Sequence, residues 1–268
     1  MAYCYFKGSI MDEAEASLSI HTLGVLRGFG AFDFFRMRNK KFYFLEDHLD
    51  RFEQSQKFMG LSEIISKDEI REALDMLRDW NKLNDSGFKI VLLGDGNESE
   101  LELNPLLFIT QSDLSNHRPA PYASVILHDY LREYPHIKTT NYLTSNLLHK
   151  KRIAAGAIDV IYHHDDLISE ASRSNVFVIT DGLLSTPSSN ILPGVTRKNV
   201  LNLCDGVIDV SVKDISVSEF VNADEVFICS TLKEICPIVE VEGKPIGNGT
   251  VGPLTKQVSH MFQQLVRD

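Results

Sequence analysis

The chain has 268 residues, of which 43% are hydrophobic, and its formal net charge at pH 7 is -10. A chain of this length and composition can form one large domain or two smaller ones with true cores, which excludes a disordered or fibrous protein. The excess of acidic residues repels a phosphate backbone and disfavours nucleic acid as a partner. Any anion that the protein binds must therefore be held by a local site.

Two further features of the sequence bear on cellular location. No segment reaches the roughly 18 consecutive apolar residues of a membrane span, and the first residues lack the order of a signal peptide. The cysteines form no C-x-x-C pair and lie among apolar residues, as reduced thiols do: Cys4, Cys204, Cys229 and Cys236. We expect a cytoplasmic protein with no membrane partner and no disulfide or zinc framework.

Strands and helices are interleaved in the first part of the chain. The apolar patterns predict strands over 3–10, 28–36, 42–45, 88–93 and 106–110. Helices are predicted over 46–59, ended by Gly60, and over 66–83, capped by Ser66. Phe58 and Trp80 fall on the apolar stripes of these helices, and a polar loop at 94–97 separates the last two strands.

Residues 112–121 form the one clear linker-like stretch, with two prolines and few apolar side chains. We place a domain boundary there, between an N-terminal domain of residues 1–116 and a C-terminal domain of residues 121–268.

The C-terminal half is predicted to be rich in β-structure. A strand at 123–128 is followed by a helix over 141–155 that starts at the polar pair Thr139–Thr140. Asp165–Asp166 and Asp181–Gly182 are typical of two-residue hairpin turns, between strands at 158–163 and 167–170 and between strands at 175–180 and 183–186. Two more helices begin at about residue 195 and at Pro253.

Two sequence patterns look functional but have simpler explanations. Residues 247–252 match the letters of a dinucleotide fingerprint, but only 16 residues follow and no βαβ unit can form there. The run His163-His164-Asp165-Asp166 contains metal-ligand residue types, but neighbouring strand residues point to opposite faces. We predict a glycine-rich turn, a solvated hairpin and no metal site.

Lys138 lies at a strand-to-helix junction, before Thr139-Thr140-Asn141-Tyr142. A lysine in this setting is either an imine-forming nucleophile or a solvated surface residue, and the local context leaves both open. Further along, Leu192-Pro193-Gly194-Val195-Thr196-Arg197 predicts a tight turn into a helix start, which offers backbone N–H groups to a phosphate.

Six motifs together resemble one known family. The residues 170–177, 184–187 and 192–197 are similar to the signature of the class IV aminotransferases, the fold-type IV pyridoxal-phosphate enzymes. The residues 28–33, 45–51 and 137–142 resemble the family's glycine-rich strand, phosphate-arginine helix and cofactor-lysine segment, in the same order. The likeness covers residues 20–232, most of the chain.

The resemblance implies an α+β fold with a small N-terminal α/β domain and a larger C-terminal β-rich domain. It implies that Lys138 carries pyridoxal 5′-phosphate and moves the substrate proton, and that Glu170 faces the cofactor's ring nitrogen. It assigns the cofactor phosphate to Arg51, Val195, Thr196 and Thr231, and the phenolic oxygen to Tyr142. A homodimer is also implied. From the sequence alone, Arg51 could instead pair with Asp47 and Tyr142 could be a core aromatic.

The expected activity is transfer of an amino group between an amino acid and a 2-oxo acid. Lys138 and Asn141 are separated by two residues, a spacing similar to that of D-amino-acid aminotransferases and 4-amino-4-deoxychorismate lyases and unlike branched-chain enzymes. Asp95 stands where D-amino-acid enzymes carry an arginine, and Asp33 stands where many members have Glu. Phe32 and Asp95 are assigned to the substrate side.

Two alternatives to transamination remain. The first is a 4-amino-4-deoxychorismate lyase, which would use the same Lys138 and release pyruvate and 4-aminobenzoate. That lyase typically has an arginine where this chain has Tyr142. The second is a binding protein without cofactor, in which Lys138, Glu170 and Arg51 would have no common purpose.

Overall fold

The computed structural model describes residues 2–96 and 103–267. The chain forms two compact units, of which unit 1 comprises Met1–His117 and Ile137–Asn141, and unit 2 comprises Arg118–His136 and Tyr142–Asp268. The predicted boundary at 116–121 stays a prediction. Nothing in the sequence indicates that Ile137–Asn141 returns to unit 1.

Unit 1 is a six-stranded sheet with its two long helices packed on one face. Its strands are β1 (Tyr3–Phe6), β2 (Ser9–Asp12), β3 (Gly30–Arg38), β4 (Lys41–Phe42), β5 (Asp85–Asp95) and β6 (Asn104–Asp113), in the order β2-β1-β6-β5-β3-β4. Its helices are α1 (Leu23–Leu26), α2 (Leu45–Met59) and α3 (Lys67–Asn81). Phe35 and Phe88 of the sheet, Phe52 of α2 and Leu74 of α3 are fully buried in one shared core.

Local capping chemistry explains where the two long helices of unit 1 begin and end. Ser66 and Glu69 form a reciprocal capping box at the start of α3, and Gly60 ends α2 in the left-handed conformation at φ 62°. Both features agree with the sequence prediction. Phe58 and Trp80, predicted on the apolar stripes, are instead 46% and 57% exposed.

Two predicted strands of unit 1 are wrong in extent. The segment 3–10 is a hairpin, because Lys7 and Gly8 both adopt positive φ and turn the chain between β1 and β2. The strand predicted at 42–45 stops at Phe42, because Phe44 is left-handed at φ 53° and the helix begins at Leu45.

Unit 2 is built on one mixed sheet. Its strands are β7 (Ala123–Asp129), β8 (Asp159–His164), β9 (Leu167–Ala171), β10 (Asn175–Thr180), β11 (Leu183–Thr186), β12 (Val210–Val212), β13 (Glu225–Ser230), β14 (Glu234–Val241) and β15 (Lys244–Pro245). The order is β12-β11-β10-β13-β14-β7-β8-β9, with β15 on β14. Its helices are α4 (Leu143–Leu147), α5 (His149–Ala154), α6 (Val195–Cys204), α7 (Val217–Val221) and α8 (Pro253–Leu265).

Both predicted hairpins of unit 2 are present. Asp165 and Asp166, at φ 47° and 61°, turn β8 into β9, and Asp181 and Gly182, at φ 50° and 81°, turn β10 into β11. Two consecutive residues at positive φ match the right-handed twist of paired strands, which is why these short polar pairs can be recognised from sequence.

The helix predicted over 141–155 is wrong in form. It consists of two short helices, α4 and α5, that meet at Leu148. Thr139 and Thr140 are not helical: Thr139 bridges Ala31, and the Thr140 N–H donates to the Gly30 carbonyl at 2.9 Å. These backbone bonds hold the segment extended along β3.

The glycine run at 247–252 is a turn before α8, as predicted. The first turn of α8 is already capped from within, because the Glu225 carboxylate accepts the N–H groups of Leu254 at 3.1 Å and Thr255 at 2.7 Å. Because a carboxylate of the protein already accepts these N–H groups, the start of α8 is not available to a phosphate.

Two further expectations concern the whole chain. All four cysteines are buried and free of disulfide bonds. Within residues 2–96 and 103–267, no helix has the length and apolar character needed to cross a membrane.

Candidate active site

Lys138 is held by the backbone of β3. The Phe32 N–H donates to the Lys138 carbonyl at 2.9 Å, next to the bridge between Ala31 and Thr139. This edge of β3 is open to 138–140 because β4 is only two residues long and pairs with Met37 and Arg38. The lysine backbone is thus fixed by a sheet edge and not by a helix.

The amino group of Lys138 lies over an aromatic ring. Its Nζ atom is 4.5 Å from the centre of the Phe32 ring, within the range of a cation–π contact. The two residues assigned from the sequence to catalysis and to the substrate are therefore in direct contact within unit 1.

Arg51 is oriented by a buried carboxylate. Its Nε and Nη2 donate to Asp33 Oδ2 and Oδ1 at 2.8 and 2.7 Å, a bidentate pair. His48, one helical turn before it on α2, contacts Asp33 Oδ1 through Nδ1 at 2.8 Å. The structure therefore pairs Arg51 with Asp33, where the sequence had left Asp47 open as its partner.

The charges of this cluster shift the pKa values of its members. Burial alone would raise the pKa of the Asp33 carboxyl, but Arg51 and His48 outweigh burial and hold the pKa below its usual range. Burial lowers the pKa of His48, opposed by Asp33 and assisted by the charges of Arg51 and Lys138. The ion pair therefore favours the carboxylate form of Asp33, whereas burial favours the neutral form of His48.

Asp95 is the last residue of β5 and is partly buried. Its Oδ1 accepts a hydrogen bond from Thr22 Oγ1 at 3.1 Å. The predicted loop at 94–97 begins later than expected, because β5 continues through Asp95. Asn97 lies outside the described residues.

Glu170 is a buried carboxylate in β9 of unit 2, engaged through both oxygens. Its Oε1 accepts from Arg132 Nε at 2.6 Å, and its Oε2 accepts the Leu192 N–H at 2.8 Å. Arg132 also donates from Nη2 to the Pro135 carbonyl at 2.5 Å. The carboxylate is therefore held in one orientation and tied to the chain just before α6.

The start of α6 is pinned to the sheet. Asn175 Nδ2 donates to the Leu192 carbonyl at 2.9 Å, and a Cβ at Gly194 would lie 1.9 Å from Asn175 Oδ1. Arg197 donates to Thr186 Oγ1 at 3.1 Å and to the Pro187 carbonyl at 3.0 Å. This fixes the first helical residues, Val195 and Thr196, both buried, at an N-terminus with no side-chain cap.

Thr231 and Tyr142 are the remaining predicted site residues. Thr231 lies in the turn between β13 and β14, and Tyr142 immediately precedes α4; both are partly buried. Their roles stay predictions. The cluster at 163–166 holds no metal group: within the described ranges, no set of three His, Cys, Asp or Glu side chains could bind an ion.

Comparison with known proteins agrees with the motifs. The model of the amino-transferase class IV family matches residues 30–241. The chain is 30% identical over 273 residues to D-alanine aminotransferase of Bacillus licheniformis, covering 97% of this chain and 96% of that protein.

The chain belongs to the class IV aminotransferase family.

Other members of the family are similar over the same length. This class IV aminotransferase is 30% identical over 284 residues to a putative branched-chain-amino-acid aminotransferase of Methanocaldococcus jannaschii, covering 97% of this chain and 95% of that protein. Its fold matches branched-chain amino acid aminotransferase from Escherichia coli with a TM-score of 0.89 at 25% identity, over 98% of this chain and 94% of that one. The predicted family, α+β fold and aminotransferase function are confirmed.

Sequence reasoning missed the partners that hold the site of this aminotransferase. Asp33 appeared only as a departure from the family pattern, and His48 lay within the arginine motif at 45–51 without an assigned role. Arg132 carried no signal at all, because 38 residues separate it from Glu170. Only the tertiary fold brings such partners together.

Proposed function

We propose that this aminotransferase depends on pyridoxal 5′-phosphate, with Lys138 as the residue that carries the cofactor. The donor set fits the group. Unit 1 supplies a primary amine and an oriented arginine, and unit 2 supplies a buried carboxylate and an uncapped helix start. The observation that carries the proposal is the Glu170–Leu192 hydrogen bond of 2.8 Å, which links the carboxylate to the approach to α6.

In unit 2, Glu170 would face the ring nitrogen of the cofactor and favour its protonated form, since a carboxylate stabilises an adjacent cation. The N–H groups of Val195 and Thr196 and the hydroxyl of Thr231 would bind the phosphate. Tyr142 would contact the phenolic oxygen. The first two assignments are supported by the fixed geometry around Leu192 and Gly194.

In unit 1, Arg51 would bind the phosphate with a charge that Asp33 holds in place. When bound, pyridoxal phosphate withdraws electrons from the Cα–H bond of the substrate. Lys138 would take the Cα proton and return it to the carbon C4′, as a base and then an acid. The Lys138 amino group lies over the face of the Phe32 ring.

We propose D-alanine as the first amino donor to test. The spacing of Lys138 and Asn141 supports it, as do relatives named D-alanine aminotransferase at 27% to 30% identity along nearly the whole chain. Phe32 and Asp95 are proposed on the substrate side.

The test is absorption spectroscopy of the purified protein supplied with pyridoxal 5′-phosphate, followed by addition of D-alanine, L-glutamate and L-leucine in turn. We expect a visible cofactor band that D-alanine converts to the pyridoxamine form, with pyruvate as the product. Lys138→Ala should lose this conversion by at least about 1,000-fold, since one group supplies both the cofactor bond and the proton transfers.

Two results would contradict the proposal. Absence of any cofactor band would reject cofactor dependence and favour a binding protein. A band that no amino acid changes, with release of pyruvate from 4-amino-4-deoxychorismate, would favour the lyase. The acidic residue Asp95, at a position where D-amino-acid enzymes carry an arginine, supports keeping that alternative.

We also propose a cytoplasmic homodimer. The buried, free cysteines fit a reducing compartment. Leu147 and Ile153 on α4 and α5 of unit 2 are 71% and 57% exposed, which fits a face covered by a second copy. Light scattering after gel filtration tests the assembly, and a monomer at micromolar concentration would reject it.

A further inference from the structure

A second buried charge cluster lies in unit 2, outside the residues assigned to the cofactor. The Asp159 side chain is 2% exposed, and its Oδ2 accepts from Lys233 Nζ at 2.9 Å, whose side chain is 18% exposed. Asp159 Oδ1 accepts from Ser172 Oγ at 2.5 Å and from the Val160 N–H at 2.8 Å. Ser174 Oγ donates to Asp159 Oδ2 at 3.3 Å and accepts from Lys233 Nζ at 3.0 Å.

This cluster joins three separate parts of the chain. Asp159 is the first residue of β8, Ser172 and Ser174 lie in the turn between β9 and β10, and Lys233 lies in the turn between β13 and β14. The β9–β10 turn begins two residues after Glu170, and the β13–β14 turn contains Thr231. A single lysine side chain therefore links the turn that follows the carboxylate to the turn that contains the hydroxyl.

Stability alone does not account for a buried pair of this kind. Removing two opposite charges from water is costly, and a well-packed apolar pair of similar volume often stabilises a fold as well or better. Directed hydrogen bonds differ from apolar packing in fixing both distance and orientation. The pair is therefore suited to setting the position of one turn against another.

We propose that Lys233 is a positioning residue for the phosphate of the cofactor. By bonding Asp159 and Ser174, Lys233 holds the β13–β14 turn so that the Thr231 hydroxyl meets the phosphate while Glu170 meets the ring. This inference rests on the proposed function, and it concerns how Thr231 is placed and not a direct contact between Lys233 and the cofactor.

The test measures binding of pyridoxal 5′-phosphate and of pyridoxal, which lacks the phosphate, to the cofactor-free protein by fluorescence titration. Lys233→Met should weaken binding of the phosphate form roughly tenfold, the equivalent of one lost hydrogen bond, and should leave pyridoxal binding within about twofold. Lys213→Met is the matched control, because it removes an exposed lysine that pairs with Glu219 elsewhere in unit 2. It should change neither affinity.

A double-mutant cycle separates positioning from general loosening. If Lys233 acts through Thr231, Thr231→Val and Thr231→Val/Lys233→Met should bind pyridoxal 5′-phosphate equally within about twofold. Losses that multiply in the double variant, or an equal loss for pyridoxal, would overturn the proposal. Lys233→Gln, which keeps one donor, replaces Lys233→Met in the same cycle if the methionine variant does not fold.

The outcomes also separate this inference from the function on which it rests. Failure of the unaltered protein to bind pyridoxal 5′-phosphate would reject the proposed function. Normal binding by the unaltered protein, together with undiminished preference for the phosphate form in Lys233→Met, would reject only the role of Lys233.

Discussion

The two units each contain a buried carboxylate paired with an arginine, but the partner that orients the other differs between the two pairs. In unit 1 the carboxylate, Asp33, is the support: it accepts from the Phe34 N–H, from His48 and twice from Arg51, and thereby orients the arginine. In unit 2 the arginine, Arg132, is the support, and it orients the carboxylate of Glu170. The same type of ion pair thus orients the cation Arg51 in unit 1 and the anion Glu170 in unit 2.

The two pairs also differ in how they are assembled. His48 and Arg51 are one turn apart on α2 and reach Asp33 from a single helix. Arg132 is 38 residues from Glu170, and the second oxygen of Glu170 is held by a backbone N–H from a third segment. Loss of a single partner should therefore disturb the contact of one helix with one strand in unit 1 and a junction of several segments in unit 2.

The largest expected effect is that of Asp33→Asn. This change removes the buried carboxylate that accepts two hydrogen bonds from Arg51, so the free energy of unfolding should fall by about 3–5 kcal/mol in urea titrations. Asp50→Asn is the matched control. Asp50 is next to Arg51 on α2 and pairs at the surface with Lys67 of α3, so this change should cost less than about 1 kcal/mol. Equal losses in the two variants would show that the buried pair contributes no more to stability than the surface pair.

Arg132→Met should cost slightly less, about 3 kcal/mol, because Glu170 keeps its bond from the Leu192 N–H. Adding Glu170→Gln to Arg132→Met should restore much of the loss, since the uncompensated charge is then removed. Chemical denaturation of the three proteins measures both effects. If the double variant were less stable than Arg132→Met, charge burial would not be the cause.

Gly194→Ala should cost about 1–3 kcal/mol. The added Cβ would lie 1.9 Å from Asn175 Oδ1, so Asn175 must rotate and give up its bond to the Leu192 carbonyl. In an Asn175→Ala background the same methyl has room, and the added cost should nearly vanish. Strictly additive losses would place the strain elsewhere than at this contact.

The smallest expected effect is a pH dependence due to His48. Its pKa is lowered in the folded protein, so the unfolded chain binds a proton first, and stability should fall as pH drops below about 6.5. The slope from one group is at most about 1.4 kcal/mol per pH unit. His48→Gln should remove this part of the slope between pH 7 and 5. An unchanged slope would mean that the pKa of His48 is the same in the folded and the unfolded chain.

The parts of the fold that the sequence predicts are those set by adjacent residues. The capping box at Ser66, the end of α2 at Gly60 and the two aspartate turns depend on a few neighbouring side chains and on permitted backbone angles. The errors arise where distant contacts decide. The segment 138–140 reads as a helix start but is extended, because the edge of β3 offers it backbone partners.

The candidate site shows the same division. Lys138, Glu170 and the start of α6 stand in motifs and could be named from the sequence. Asp33, Arg132 and Lys233 could not be given their partners, because each forms its contact with residues 15 or more positions away. Motifs indicate the groups that do the chemistry, whereas the groups that hold them in place are found only once the chain is folded.

The register of β3 against β5 has a consequence for how unit 1 tolerates change. Phe32, beneath the Lys138 amino group, and Asp33, which holds Arg51, are consecutive residues of β3 and face opposite sides of the sheet. Nine paired positions with β5 fix the register of β3. A slip of one residue would exchange these faces and displace the lysine and the arginine together. The positions of Lys138 and Arg51 therefore depend on the same strand register. Insertions should be tolerated in the β3–β4 turn but not within Gly30–Arg38.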